Sequence, residues 1–96
     1  MKILALVQVA PDAPMDRVRA DLAKELEGSW SLFASDILRE AYVTAAPMRV
    51  VFVLEAQDVQ NAKQHLEGLP LVAAGLMHFE LIELRPFVNW SMLFAK

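Results

Sequence analysis

The fold is decided by residues 68–86, GLPLVAAGLMHFELIELRP, where a helix stops and a strand follows. The strand, Met77 to Arg85, alternates two sets of side chains, because successive side chains of a strand point to opposite faces. Three apolar residues lead one face and a mixed set makes the other: Met77, Phe79 and Leu81 against His78, Glu80, Ile82 and Leu84. An apolar face backed by an imidazole and a carboxylate is where we expect a small fold to place a pocket.

Three strands and a helix are predicted in the rest of the chain by the spacing of apolar residues and the turn signals between them. Lys2 to Val9 is aliphatic and β-branched, which is typical of a buried strand. Asp36 to Ala45 and Arg49 to Glu55 are predicted to form an antiparallel hairpin, with a short turn of about three residues around Pro47. Residues 58–67 are predicted to form a helix that is capped by the first residue, an aspartate, and ended by the glycine at 68.

A long helix is predicted between the first two strands. Asp12 is the expected cap, and the helix is expected to run to about Ala34. Apolar residues recur at spacings of three and four along it, as one face of a helix requires. They are Met15, Val18, Leu22, Leu26, Trp30 and Phe33. We therefore expect this stripe to be the part of the helix that packs in the core.

The predicted order is β-α-β-β-α-β, the ferredoxin-like arrangement, in a single α+β domain over residues 1–96. Its four-stranded antiparallel sheet would carry both helices on one face, yet the strands are apolar on both faces. The open face is expected to hold Leu4, Leu6, Leu38, Tyr42, Ile82 and Leu84, or else their equally apolar neighbours. A second copy is the simplest cover, so we expect a homodimer or higher homo-oligomer that forms a dimeric α+β barrel. Residues 87–96, with Trp90 and Phe94, are expected to be a tail at the subunit interface.

Composition narrows the class of protein further. The hydrophobic residues make up 56% of the chain before its three glycines are counted, against roughly 45–50% for ordinary chains with glycine included. The net charge of −3 argues against a nucleic-acid partner, and the longest apolar runs are too short for a membrane span. The chain has no cysteine, which fits a cytoplasmic protein. Residues 1–14 have some features of a signal peptide, but a strand of the domain is the better interpretation.

Several segments resemble the small muconolactone isomerase-like proteins, which are often grouped near the YciI-like proteins in the dimeric α+β barrel superfamily. The segments are LREAYV (38–43), VVFVLEAQDVQNAKQHLEGLPLV (50–72) and AGLMHFELIELRPF (74–87), together with the aromatic residues of the tail. The resemblance implies the dimeric barrel fold and an oligomer. It also implies a proton shift between carbons of an unsaturated lactone, without a metal or an organic cofactor.

Four side chains are the candidate catalytic residues. Strand alternation places Glu40 and Tyr42 on one face of the second strand, and His78 and Glu80 on one face of the last. A carboxylate base beside phenol and imidazole donors is a sufficient set for abstracting a proton next to a carbonyl. Structural interpretations stay open for three of them: an arginine partner for Glu40, and packing or interface roles for Tyr42 and His78. Two histidines 13 positions apart are a weak metal signal, so no metal or cofactor is expected.

Two functions of different classes follow from these patterns. The first is a cofactor-independent isomerase that transfers a proton on an unsaturated or cyclic carbonyl compound. The second is a non-catalytic oligomeric protein that binds a small ligand or a partner. Carboxylates paired with arginines in a sealed barrel would favour the second function, whereas unpaired carboxylates in an open cleft would favour the first.

Overall fold

The computed structural model describes residues 1–95 and has the predicted β-α-β-β-α-β order. Its elements are β1 (Lys2–Val9), α1 (Met15–Ala34), β2 (Leu38–Val43), β3 (Val50–Glu55), α2 (Val59–Glu67), the one-turn helix α3 (Pro70–Ala73), β4 (Met77–Leu84) and a 3-10 helix (Val88–Leu93). All strand pairs are antiparallel, in the order β2-β3-β1-β4 across the sheet. The predicted α+β fold class is therefore confirmed.

The core lies between the helices and one face of the sheet. Alternate residues of β1, namely Ile3, Ala5 and Val7, are buried and pair with Leu54 and other helix-side residues of β3. In β4 the alternation predicted from the sequence is confirmed, because Phe79 and its apolar neighbours at alternate positions pack on this core. The opposite face of the sheet has no covering element within residues 1–95, and it carries the mixed residues of β4.

A bulge in β2 places Leu38 on a different face of the sheet from the predicted one. Leu38 pairs with Leu54, but Glu40 pairs with Val53, so β2 has one residue more than β3 over this interval. The extra residue shifts the side-chain alternation. Leu38 therefore lies in the core, 3% exposed, and its predicted place on the open face is wrong. Glu40 and Tyr42 keep their predicted places on the open face.

Helix α1 packs by a different face from the predicted one. Of the apolar stripe only Val18 is buried, while Met15, Leu22, Leu26, Trp30 and Phe33 are 42–66% exposed. The helix instead turns Glu25 and Gly28 toward the α2–α3 connection, where a glycine permits close approach: a Cβ at position 28 would lie 2.9 Å from Leu69 Cδ2. The prediction that the stripe is core is wrong for the single chain.

The N-termini of α1 and α2 are stabilised in different ways. The predicted cap Asp12 is wrong, because α1 begins after Pro14 and its first turn has no side-chain cap. The carbonyl of Pro14 accepts the backbone N–H groups of Arg17 and Val18. The predicted cap of α2 is confirmed, since the Asp58 carboxylate accepts the backbone N–H of Asn61 at 2.7 Å.

The β2–β3 hairpin is antiparallel as predicted, but its loop is longer. Residues 44–49 separate the strands instead of about three residues. Thr44 explains the difference, because its hydroxyl donates to the carbonyl of Pro47 at 2.7 Å and accepts from the backbone N–H of Arg49 at 2.9 Å. These bonds hold the loop closed and end the strand pairing two residues before the predicted boundary at Ala45.

The predicted tail is described to Ala95 and contains the 3-10 helix Val88–Leu93. It packs substantially against none of the other elements. The radius of gyration is 15.7 Å, against about 12.5 Å for a compact chain of this length, and the longest dimension is 60 Å. A 20-residue helix spans only about 30 Å. The tail therefore projects from the body of the molecule.

Candidate functional site

A cleft lies between α1 and the helix-side face of the sheet. It exists because α1 packs on α3, so most of its apolar stripe is not buried against the strands. Its volume is about 400 Å³, within the usual range of small-ligand sites. The walls are mostly apolar and come from five elements. They are Val7, Leu22, Glu25, Leu26, Ser29, Ala41, Tyr42, Val43, Val50, Phe52 and Met77.

The cleft opens at the β2 edge of the sheet into a wider groove of about 630 Å³. This α1–β2 groove shares Leu26, Ser29 and Tyr42 with the cleft and adds Trp30 and Phe33 of α1. The two aromatic rings stack with their centroids 5.4 Å apart. The groove therefore has an apolar floor that leads from solvent to the deeper cleft.

Glu25 is the one charged group of the cleft that is buried, and within residues 1–95 it is the only buried polar or charged side chain, 8% exposed. Its Oε1 atom accepts the backbone N–H of Leu71 at 2.7 Å, which ties α1 to the first turn of α3. No other hydrogen bond to this carboxyl group occurs in the described part of the chain. Its second oxygen is therefore available to a molecule in the cleft.

Burial also changes the acid–base behaviour of this group. Desolvation raises the pKa of Glu25 above its ordinary value, and the hydrogen bond from Leu71 opposes this effect only in part. A carboxyl group with a raised pKa is a stronger base when ionised and a better proton carrier near neutral pH. Glu25 thus combines position and basicity for a proton-transfer role.

Glu40 and Tyr42 are brought together on the open face of β2. The Tyr42 hydroxyl donates to Glu40 Oε1 at 2.6 Å, and this bond together with the carboxylate charge raises the pKa of Tyr42. Glu40 forms no ion pair with an arginine in the part of the chain described, residues 1–95. The phenol is therefore held protonated next to a carboxylate at the edge of the sheet.

His78 and Glu80 lie on the open face of β4, at the other edge of the sheet. They line a depression of about 120 Å³ with Gln8 and Arg49, too small for a typical ligand site. The Arg49 Nε–H group is buried and has no hydrogen-bond partner within residues 1–95. Neither His78 nor Glu80 forms an ion pair in residues 1–95.

The four sequence-predicted residues share one face but do not share one pocket within a chain. β2 and β4 are separated by β3 and β1, so three strand spacings, about 14 Å, lie between the two pairs. The sheet brings Glu40 to Tyr42 and His78 to Glu80, and it keeps the pairs apart.

Glu25 was missed at the sequence level, because it lies one position off the apolar stripe between Leu22 and Leu26. The signal that could have found it is a second helical face, along which Val18, Glu25 and Leu32 recur every seven residues. Val18 is buried and Leu32 packs on the core, so a carboxylate between them must be buried too.

Within residues 1–95 the structure has neither a cluster of metal-binding side chains nor a membrane-spanning helix. No group of three or more histidine, aspartate or glutamate side chains in residues 1–95 is arranged to hold a metal ion. Over the same residues, no helix has the length and the apolar character that crossing a membrane would require.

Comparisons with known proteins identify the fold. No family model matches the sequence, and no curated protein sequence matches it. Among solved structures the chain is similar to 5-chloro-2-hydroxyhydroquinone dehydrochlorinase (TftG) from Burkholderia phenoliruptrix AC1100, in complex with 2,5-dihydroxybenzoquinone. The TM-score is 0.71 at 16% sequence identity, over 88% of this chain and 94% of that chain.

A likeness at this identity shows the fold alone. It agrees with the predicted α+β fold, a four-stranded antiparallel sheet in β-α-β-β-α-β order. The dimeric α+β barrel superfamily stays a prediction from the sequence. The narrower resemblance to muconolactone isomerase-like and YciI-like proteins stays a prediction, as does the dimer.

Proposed function

We propose that this protein is a cofactor-independent enzyme that transfers a proton on a small unsaturated or cyclic carbonyl compound. The observation that carries the proposal is the Glu25 carboxyl group, buried in an apolar cleft of about 400 Å³ with its pKa raised by desolvation. The reaction class is an isomerisation in which one C–H bond breaks and another forms. The similar solved structure is a dehydrochlorinase with a cyclic dihydroxyquinone bound, which supports a small cyclic substrate.

In the proposed mechanism, the ionised Glu25 takes a proton from the carbon next to the substrate carbonyl. The electron pair of that bond moves toward the carbonyl oxygen and gives an enolate. Protonated Glu25 then returns the proton to another carbon of the conjugated system, so the substrate formula does not change. An apolar cleft favours this exchange because it excludes water from both charged species.

A hydrogen-bond donor to the enolate oxygen is also needed, and the hydroxyl groups of Ser29 and Tyr42 are the ones on residues that line the cleft. Both are engaged in the free protein, Ser29 with the carbonyl of Leu26 and Tyr42 with Glu40. We propose that a ligand takes the Ser29 bond, because Ser29 lies on the α1 wall of the cleft. The Tyr42 side chain lies on the open face of β2, where Tyr42 and Glu40 stay candidates for a site on that face. His78 and Glu80 stay candidates for a site on the open face.

A turnover experiment tests the proposal. Native protein and the Glu25→Gln variant are assayed on a panel of unsaturated lactones and hydroxylated quinones. The amide keeps an acceptor for Leu71 but cannot take a proton, so kcat is expected to fall about 10²–10⁴-fold. Glu27→Gln is the matched control, since Glu27 is exposed on the same helix and should leave kcat unchanged.

Glu40→Gln and Glu80→Gln are assayed beside these variants because both residues are sequence-predicted bases. Absence of turnover on the whole panel, or turnover that Glu25→Gln does not change, contradicts the proposal. A loss confined to Glu40→Gln or Glu80→Gln would instead assign the base to the open face of the sheet.

The chain is further proposed to act as a homodimer or higher homo-oligomer in the cytoplasm. The sheet face that carries Leu4, Leu6 and Ile82 has no cover within residues 1–95, and a second copy could bury it. The cytoplasmic location is inferred from the absence of cysteine.

A non-catalytic binding protein is the second candidate. It is favoured by the extent of exposed apolar surface on α1 and the tail, which is typical of interaction surfaces. This candidate predicts that a panel compound binds in the cleft without being converted, and that Glu25→Gln leaves its affinity nearly unchanged.

A further inference from the structure

Two apolar surfaces of this chain have no partner within residues 1–95. The first is the α1–β2 groove, in which Leu26, Trp30 and Phe33 are 47–66% exposed. The second is the tail, where Phe87, Val88, Trp90, Met92, Leu93 and Phe94 are 61–79% exposed. We infer that the tail of a second copy docks in this groove and completes the cleft that holds Glu25.

The shape and the charge of the two surfaces are complementary. The tail has no charged residue from Phe87 to Ala95, and its 3-10 helix is a narrow rod. The groove is concave, mostly apolar and about 630 Å³ in volume. The charged residues of the groove, Arg39 and Glu40, are exposed on its β2 wall. The open sheet face is a poorer match, because Arg49 and Glu80 would have to be buried there against an uncharged segment.

The tail of the same chain is poorly placed to fill the groove. It follows β4, whereas the groove lies at β2, the opposite edge of the sheet. The helix layer between these edges is occupied, because α2 lies against β4 and α3, and α3 lies against α1. The tail also projects from the body, consistent with the 60 Å length of the molecule. A second copy is therefore the occupant that the topology permits.

Exchange of tails between two copies would give a closed, twofold symmetric dimer. Each copy would offer one tail and one groove, so the contact is self-complementary and leaves neither surface unpaired. The groove is the mouth of the Glu25 cleft, with Leu26, Ser29 and Tyr42 common to both. The site is thus incomplete in one chain. The inference depends on the proposed homodimer but not on the chemistry proposed for Glu25.

Cysteine cross-linking tests the inference cleanly, since the chain has no cysteine of its own. Ser29→Cys in the groove is mixed with affinity-tagged Ser91→Cys in the tail, after dissociation and reassembly, and disulfide formation is followed on non-reducing gels. Ser31→Cys replaces Ser29→Cys as the matched control, because position 31 is exposed on another side of α1. Light scattering gives the mass of each sample.

The expected result is a tagged–untagged disulfide dimer that forms roughly 100-fold faster with Ser29→Cys than with Ser31→Cys. The reason is that a docked tail holds the thiols at about millimolar effective concentration, against about 10 μM for free chains. Equal rates for the two pairs overturn the inference. So does an intrachain disulfide in the Ser29→Cys, Ser91→Cys double variant. A monomeric mass overturns it together with the proposed dimer, whereas a dimeric mass without the cross-link overturns the inference alone.

Discussion

Glu25 combines a structural role with the proposed chemical role in one side chain. Its Oε1 atom satisfies a backbone N–H of α3, a short helix without a side-chain cap of its own. The same carboxyl group lines the cleft, where desolvation raises its pKa. A purely structural acceptor at this position would serve equally well as glutamine, which carries no desolvation penalty for a charge. The glutamate therefore costs stability that its proposed role as a base would explain.

The raised pKa predicts a specific pH dependence of stability. Between the ordinary pKa of 4.5 and the raised folded value, the folded chain binds more protons at Glu25 than the unfolded chain does. The free energy of unfolding must therefore fall, through this group, as pH rises across that interval. Glu25→Gln removes the effect, so the variant should gain stability relative to native protein from about pH 4 to about pH 7.5.

Urea unfolding at the two pH values measures this difference, with Glu27→Gln as the exposed control. A stability difference between native protein and Glu25→Gln that does not change with pH would mean that the folded pKa is not raised. A change of the opposite sign would mean that it is lowered.

Helix α1 shows that a sequence can predict where a helix lies without predicting which of its faces packs. The period of three and four correctly predicts a helix to Ala34, because helical periodicity is a local property. The face that packs is decided by another element: Gly28 admits Leu69, and Glu25 binds the α3 backbone. These contacts are far apart in sequence, so no local pattern of apolar residues reports them.

Strand β2 makes the same point about the candidate site. Alternation correctly places Glu40 with Tyr42, since the two residues follow the bulge, and it misplaces Leu38, which precedes it. A bulge is a property of the strand pair and not of either sequence alone. Alternation reports only the face on which a side chain lies. By itself it therefore does not predict that Glu40 and Glu80 lie at opposite sheet edges.

The close approach of α1 to the α2–α3 connection predicts a steric effect at Gly28. A Cβ there lies 2.9 Å from Leu69 Cδ2, and Leu69 is itself 3% exposed. Gly28→Val should therefore lower the free energy of unfolding by about 1–3 kcal/mol, in spite of the better helix propensity of valine. Thermal or urea unfolding checks the value.

Gly68→Ala is the matched control for that substitution. Its Cβ would meet the carbonyl oxygen of His65 at an ordinary 3.5 Å, and its φ of −78° suits alanine. A gain of about 0.4–1 kcal/mol is expected there. If Gly28→Val proves as stable as native protein, the described packing of α1 on Leu69 is wrong.

At the scale of the whole molecule, the apolar stripe of α1, the open sheet face and the tail are three parts of one feature. Each exposes apolar side chains, and each is left without a partner within residues 1–95. Burying a large apolar side chain contributes about 1.5–3 kcal/mol, so several such residues rival the net stability of a domain, about 5–15 kcal/mol. The cleft with Glu25 lies where α1 and the groove meet, so assembly and the proposed chemistry concern the same region of the molecule.

The proposed role of Glu25 is to move a proton on a carbonyl compound bound in the cleft. It is tested most directly by deuterium exchange in ²H₂O, in which NMR follows loss of the C–H proton next to the carbonyl of a cyclic enone or lactone. Native protein is expected to accelerate this exchange over buffer, and Glu25→Gln to lose about 10²–10⁴-fold of the acceleration while Glu27→Gln retains it. Equal exchange in native protein and Glu25→Gln would contradict the claim.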